Sequence, residues 1–308
     1  MALNAALKQL IDAKLAHAHA PQWETPIEHV RQAFRALWTP VITGEPVAVA
    51  RIADIEIPGA SAAIPARVYT PQFRDVRPAL VYFHGGGYVK GGIEESDAFC
   101  RRLAHATRHV VLSIGYRLAP EHPFPAALDD AIAAARWTAL HGTELGGIAN
   151  EVIVSGESAG GNLAAVTCLR LRTDPAISIR AQILLQPVVD FSMSCPSIGM
   201  APGECLVPRD DLAWYYRTYR SKAVDARDPD VSPLFADDLS GLPPALVIAA
   251  EFDTLRDEAE AYARRLNAAG VDTEFVCAKG MIHGFLQMRG LVPEAVDAAT
   301  KAIASTLR

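Results

Sequence analysis

The chain has 308 residues, of which 50% are hydrophobic and 21% charged, with a formal net charge of −6 at pH 7. That apolar share excludes a disordered chain, and the acidic balance argues against a nucleic-acid surface. No run of roughly 18 apolar residues offers a membrane span. Length alone fits either two average domains or one large α/β domain.

The N-terminal segment is interrupted by Lys8, Asp12 and Lys14, so it lacks the apolar core of a secretory signal. Leu3, Leu7, Leu10, Ile11 and Leu15 recur at helical spacing, which predicts an amphipathic helix. Packing on the protein's own body is the expected use of its apolar face, with docking on a membrane surface the alternative. A second helix is predicted from about Glu28 to Trp38, closed by Pro40. Val47–Ile57 and Ala63–Tyr69 read as strands around a Pro58-Gly59 turn.

From Leu80 the pattern alternates. Strands are predicted at Leu80–Phe83, Val110–Ile114, Val152–Val154, Ile183–Leu185, Leu246–Ala250 and Val271–Val276. Helices are predicted at Ser96–Thr107, with Ser96 as its cap, and at Ala126–Leu140. Others run from Ser158 to about Arg172, over Leu255–Ala269 and over Pro293–Leu307. Short continuous apolar strands between helices imply a mostly parallel sheet covered on both faces, a three-layer αβα sandwich. Residues 190 to 243 break the alternation with six prolines and one helix of their own, Leu212–Tyr219, and read as an insertion. The cysteines, Cys100, Cys168, Cys195, Cys205 and Cys277, are odd in number and lack CxxC spacing. They are expected to be free thiols of a reducing cytoplasm, with Cys195 and Cys205 the pair able to close a loop.

Four elements carry chemistry. Gly156-Glu157-Ser158-Ala159-Gly160 follows a strand and opens a helix, the context that the G-x-S-x-G nucleophile turn requires. Composition predicts roughly 0.06 such patterns by chance. His84-Gly85-Gly86-Gly87 also follows a strand. Its bare N–H groups suit a phosphate or an oxyanion, but no Gly-Lys-Ser/Thr follows to make a P-loop. Upstream of a nucleophile turn, such a run supplies an oxyanion hole, and His84 is expected to brace the loop. In a chain ordered nucleophile, acid, base, only His283 follows Ser158 among the nine histidines. The acid that orients it is Asp253 or, as the serious rival, Glu251, both at the end of a strand. Asp257 and Glu258 fall within a helix, on what reads as a solvated face.

With these residues in view, the chain resembles the hormone-sensitive-lipase family of α/β hydrolases, the bacterial family IV carboxylesterases. The resemblance is carried by His84–Gly87, Tyr116–Glu121 with Pro123, Pro125 and Ala126, and Gly156–Gly160. Leu242–Ala245, Glu251–Asp253 and His283-Gly284-Phe285 complete it. It covers the chain from about residue 45 to the end. It implies the α/β-hydrolase fold with a helical cap and a catalytic triad of Ser158, Asp253 and His283. Oxyanion donors are implied at Gly86, Gly87 and Ala159, and no cofactor or metal is called for. The implied division is 1–45 for cap helices, 46–189 for the first part of the core, 190–225 for a cap insertion and 226–308 for the rest of the core.

Apolar cap residues, Phe34, Leu37, Trp38, Leu206, Val207, Trp214 and Tyr215, are candidates for a substrate pocket. The expected activity is hydrolysis of short- to medium-chain acyl or aryl esters. An amidase, deacetylase or lactonase would use the same residues, and a non-catalytic receptor on this fold would have lost one of them. The expected partner is a small ester, with neither nucleic acid nor an integral-membrane partner; a homodimer through a sheet edge or the last helix is an option. Two positions depart from the family pattern: Glu157, where Asp or Thr is usual, and Thr254, where Pro is usual.

Overall fold

The computed structural model describes residues 2–16, 20–73, 75–220 and 223–308; His17 and His19 lie outside them. Eight strands form one sheet: β1 (Arg51–Ile57), β2 (Ile64–Thr70), β3 (Ala79–Phe83), β4 (Val111–Ile114), β5 (Glu151–Glu157), β6 (Ser178–Leu185), β7 (Ala245–Phe252) and β8 (Thr273–Ile282). Their order across the sheet is β1-β2-β4-β3-β5-β6-β7-β8. The first two pairings are antiparallel, and β4 through β8 run parallel. Parallel strands must be covered on both faces, and every residue of β3 is buried.

One face is covered by α5 (Ala126–Leu140), α6 (Ala159–Leu171) and α8 (Arg256–Ala268), which pack with Val81, Phe83, Val152 and Val247. The other face is covered by α4 (Ile93–Thr107) and α9 (Pro293–Thr306), whose Phe99, Leu103, Val296 and Ile303 meet Leu80, Tyr82, Ile183 and Leu246. Side chains alternate along each strand, so consecutive residues of β3 and β7 enter opposite layers. The N-terminal α1 (Ala5–Ala16) lies on this second layer with Leu7 and Ile11 buried. Its apolar face is therefore used within the chain, while Leu15 is 47% exposed. The remaining α-helices among the described residues are α2 (Ile27–Leu37), the single turn α3 (Pro40–Thr43) and α7 (Arg209–Tyr219).

Three sequence expectations need correction. Ser96 is not a cap: α4 begins at Ile93 and Ser96 is buried in its first turn. The apolar run of β8 is broken by Lys279 and Gly280, yet the strand continues past them and still pairs Ile282 with Phe252 of β7. Glu258 is not on a solvated face. It is 1% exposed, and its Oε1 accepts the N–H groups of Val189 and Asp190, tying the chain after β6 to α8. Burial pushes that carboxyl well above its ordinary range. All five cysteines are free, and no helix among the described residues is long and apolar enough to cross a membrane.

Candidate active site

Ligand sites of open parallel sheets lie beyond the carboxyl ends of the strands, and here five strand ends deliver one polar residue each. His84 follows β3, Ser158 follows β5, Gln186 follows β6, Asp253 follows β7 and His283 follows β8. Neighbouring strands lie about 5 Å apart, so residues remote in sequence meet along one edge.

Ser158 sits at the sharp turn between β5 and α6 with φ 57° and ψ −117°. The turn presses its flanks into their surroundings. A Cβ on Gly156 would overlap the backbone of Gly160, and one on Gly160 would overlap the carbonyls of Phe83 and His84. Glycine is needed at both positions for close approach of backbone, and the same contact fixes the His84–Gly87 loop against the start of α6.

Ser158 Oγ lies 2.9 Å from His283 Nε2, and His283 Nδ1 lies 2.8 Å from Asp253 Oδ2. All three residues are buried, with Ser158 9%, His283 8% and Asp253 1% exposed. The second oxygen of Asp253 accepts the N–H of Leu255 at 3.0 Å, which fixes the carboxylate plane. Burial works against the charged imidazolium of His283, but the field and hydrogen bond of Asp253, and the field of Glu157, outweigh it, so its pKa is raised. The rival Glu251 is occupied elsewhere: it accepts the N–H of Gly280 at 2.8 Å and lies 3.6 Å from Lys279.

Gly86 and Gly87 have positive φ, 123° and 62°, and the turn closes by bonds from Val89 and Lys90 to the carbonyl of Gly86. No intramolecular acceptor takes the N–H of Gly86, Gly87 or Ala159 among the described residues. His84 is buried, stacks on Tyr116 at 4.2 Å and lies 2.8 Å from the Gly85 carbonyl through Nδ1. Burial lowers its pKa to about 4, which keeps it neutral as a brace for the loop. Tyr116 in turn donates to the His84 carbonyl at 2.7 Å. Arg117 is held by Asp130.

Of two further polar residues beside the site, Gln186 escapes the sequence reading and Glu157 stands out in it only as a departure from the family pattern. Gln186 brackets His283 by its peptide groups, donating to the Ile282 carbonyl at 3.1 Å and accepting the Gly284 N–H at 2.8 Å. Only its position directly after an apolar strand signals this. Glu157 is buried behind Ser158. Its Oε2 accepts from Gln287 at 2.9 Å and from Tyr82 at 3.4 Å, whereas Oε1 has no partner among the described residues. Desolvation raises its pKa.

Above the site lies a cavity of about 580 Å³, within the range of small-molecule pockets. Ser158, His283, Gly86 and Gly87 form its floor, and α1, α2 and α7 contribute its walls. Of the seven candidate pocket residues, Phe34, Leu37, Trp38, Leu206, Val207 and Tyr215 line it, and Trp214 does not. Consecutive helical residues diverge by about 100°, so Tyr215 faces the cavity while Trp214 packs at its flank, 5.0 Å away. Val30, Leu212 and Tyr216 line it as well. Among the described residues no group of three His, Cys, Asp or Glu is placed to hold a metal ion.

Comparison with known proteins agrees with this architecture. A family model described as the alpha/beta hydrolase fold matches residues 80–287. Carboxylic ester hydrolase LipN of Mycobacterium tuberculosis is 42% identical over 263 residues, 83% of this chain and 70% of that one. The ethyl acetate hydrolase of Pseudomonas putida is 37% identical over 75% of this chain and 74% of its own. Among solved structures, a hyperthermophilic esterase of Pyrobaculum calidifontis superposes with a TM-score of 0.91 at 42% identity, covering 100% of this chain and 98% of that one. The chain belongs to the α/β-hydrolase superfamily and, within it, to the hormone-sensitive-lipase family, the bacterial family IV carboxylesterases.

Proposed function

We propose that this member of the family is a serine carboxylesterase of short- to medium-chain acyl or aryl esters, working through an acyl-enzyme on Ser158. As a family member it is a carboxylic ester hydrolase; the mechanism and the chain length are the proposal. The observation that carries it is the unbroken hydrogen-bonded series Ser158–His283–Asp253 at the floor of an apolar cavity. A serine hydroxyl is a weak nucleophile until a neighbouring base takes its proton. Neutral His283 accepts that proton at Nε2 as Oγ attacks the ester carbonyl, and Asp253 stabilises the imidazolium formed. The carbonyl oxygen, now an anion, receives the N–H groups of Gly86, Gly87 and Ala159. His283 then protonates the departing alkoxide. Water repeats the sequence on the acyl-enzyme, releasing the acid and restoring Ser158. The relatives' names, which include an ethyl acetate hydrolase and an arylesterase, support the small-ester range.

The test is a series of 4-nitrophenyl esters of two to sixteen carbons together with a fluorophosphonate label. Turnover is expected to peak at short to medium chains, and the label to land on Ser158 in native but not heat-denatured protein. Ser158→Ala is expected to lose the label and to lower kcat by roughly 10⁴ to 10⁶. Retained activity in that variant, or faster turnover of a long-chain triglyceride emulsion than of a soluble four-carbon ester, would overturn the respective half of the proposal.

A further inference from the structure

The cavity wall carries one ammonium group that its own chain does not neutralise. Lys90 stands at the end of the glycine turn, its backbone N–H bonded to the Gly86 carbonyl, and its side chain lines the cavity shared with Ser158 and His283. Nζ donates to Gln22 Oε1 and to Tyr215 Oη, both at 2.7 Å. It also lies 5.0 Å from the ring centres of Phe34 and Tyr215. Every one of these partners is neutral. An ammonium has three donors, so one remains for a group entering the cavity.

Two other carboxylates of the lining are neutralised locally. Asp211 is paired with Lys14 at 3.1 Å, and Glu95 with Arg35 at 3.3 Å. His29 lines the wall near the exposed rim. Glu157 lies beside Ser158, where Gln287 and Tyr82 engage it. Among the described residues no carboxylate lies within ion-pair distance of Lys90. Burial and the field of Lys14 lower its pKa to about 7, against a smaller opposing field from Asp211, so the amine is only partly charged near neutral pH and an entering carboxylate would favour its ammonium form. An unpaired cation withdrawn even partly from water is costly, and an apolar residue at this half-buried position would pack between Phe34 and Tyr215 without that cost.

We propose that Lys90 is a specificity-determining residue that selects esters bearing a carboxylate on the acyl chain or on the alcohol, the substrate supplying the missing counter-ion. This deepens the esterase reading and rests on it. A structural role, latching the 20–25 segment and α7 to the glycine turn through Gln22 and Tyr215, would act on all esters alike; a charge role discriminates among them.

The experiment compares kcat/KM for matched pairs: 4-nitrophenyl hemiadipate against 4-nitrophenyl hexanoate, and 4-acetoxybenzoate against 4-methylphenyl acetate. Lys90→Met is expected to lower the anionic-to-neutral ratio at least about ten-fold in one pair or both, in line with truncating one side of a desolvated charge pair. Lys90→Arg is expected to keep the ratio closer to wild type. The wild-type enzyme is also expected to turn over 4-nitrophenyl 4-(trimethylammonio)butanoate more slowly than the hexanoate, a measurement that needs no variant. Ratios unchanged within two-fold in both pairs, or a cationic ester preferred over the neutral one, would overturn the role of Lys90 while leaving the esterase reading intact. Absence of turnover of both neutral esters by the wild-type protein would overturn the two together.

Discussion

Asp253→Asn isolates the role of the third residue, because it removes a charge and changes almost nothing in volume. In the native site one oxygen faces His283 Nδ1 at 2.8 Å and the other accepts the Leu255 N–H at 3.0 Å. An asparagine keeps the Leu255 bond only by turning its NH₂ toward His283. Nδ1 must then accept, the ring proton moves to Nε2, and His283 no longer has a lone pair for the Ser158 hydroxyl. The flipped amide would restore the useful tautomer but set its NH₂ against the Leu255 N–H. An unsatisfied buried donor costs about 1–3 kcal/mol, or roughly one to two decades in population. The lost carboxylate field, which holds the imidazolium up against desolvation, removes the rest. The expected fall in kcat is about 10⁴, as in other triads of this type, or about 5 kcal/mol of barrier. The assay is 4-nitrophenyl butyrate turnover at pH 8, with the thermal midpoint measured alongside to establish that the fold is kept. A fall of less than ten-fold in a folded variant, or a larger one from Glu251→Gln, would refute the assignment of the acid.

In the proposed mechanism neutral His283 is the active form, and its pKa is raised above the ordinary value of 6.5. Activity should therefore be lost as pH falls through a value above 6.5, measured as the acidic limb of kcat/KM. Glu157→Gln removes one of the fields that raise it and should move that limb to lower pH; an unmoved limb would mean that Glu157 contributes no charge there. In Gly86→Ala, the new Cβ would overlap the Lys90 carbonyl at a φ of 123°, so the N–H donor must shift. A loss of roughly 10² to 10³ in kcat is expected, the usual cost of one oxyanion donor. Asp130 is 2% exposed and accepts from the backbone N–H and the guanidinium of Arg117. Asp130→Ala should cost about 2 kcal/mol in urea unfolding, because it leaves the Arg117 backbone N–H and its half-buried guanidinium without their shared acceptor.

The sheet and its site were legible in the sequence for different reasons. The core strands β3 to β7 showed as apolar runs because a parallel strand is buried on both faces, so burial erases the polar alternation. The nucleophile turn showed because sterics leave only glycine at residues 156 and 160, where a Cβ would enter the backbone of Gly160 or of Phe83. His283 showed by elimination, since chain order left no other histidine. Sequence favours Asp253 over Glu251, two residues away at the end of one strand, but alone it leaves the rival standing. Their difference lies in where β7 ends: Glu251 lies within β7 at the register shift between Ala250 and Phe252 and its carboxylate accepts the Gly280 N–H of β8, whereas Asp253 is the first residue past the strand and reaches His283.

What the sequence concealed are contacts made across elements. Gln186 reads as the polar end of an apolar strand, and only the neighbouring β8 reveals that its amide spans the peptides on either side of His283. Trp214 and Tyr215 are equally aromatic and adjacent, and which of them lines the cavity depends on the rotation of α7 about its axis. That rotation is set by packing: Leu212, Tyr216 and Tyr219 are buried, and the Tyr215 ring rests on Gly87, where any Cβ would strike it. The oxyanion turn and the cavity wall are therefore built on each other, since the glycine that frees an N–H donor also makes room for the ring that bounds the pocket. If Gly87 donates to the oxyanion as proposed, a substitution there disturbs transition-state stabilisation and the cavity wall together, which is why residues of the cap cannot be sorted into catalytic and merely structural by composition alone.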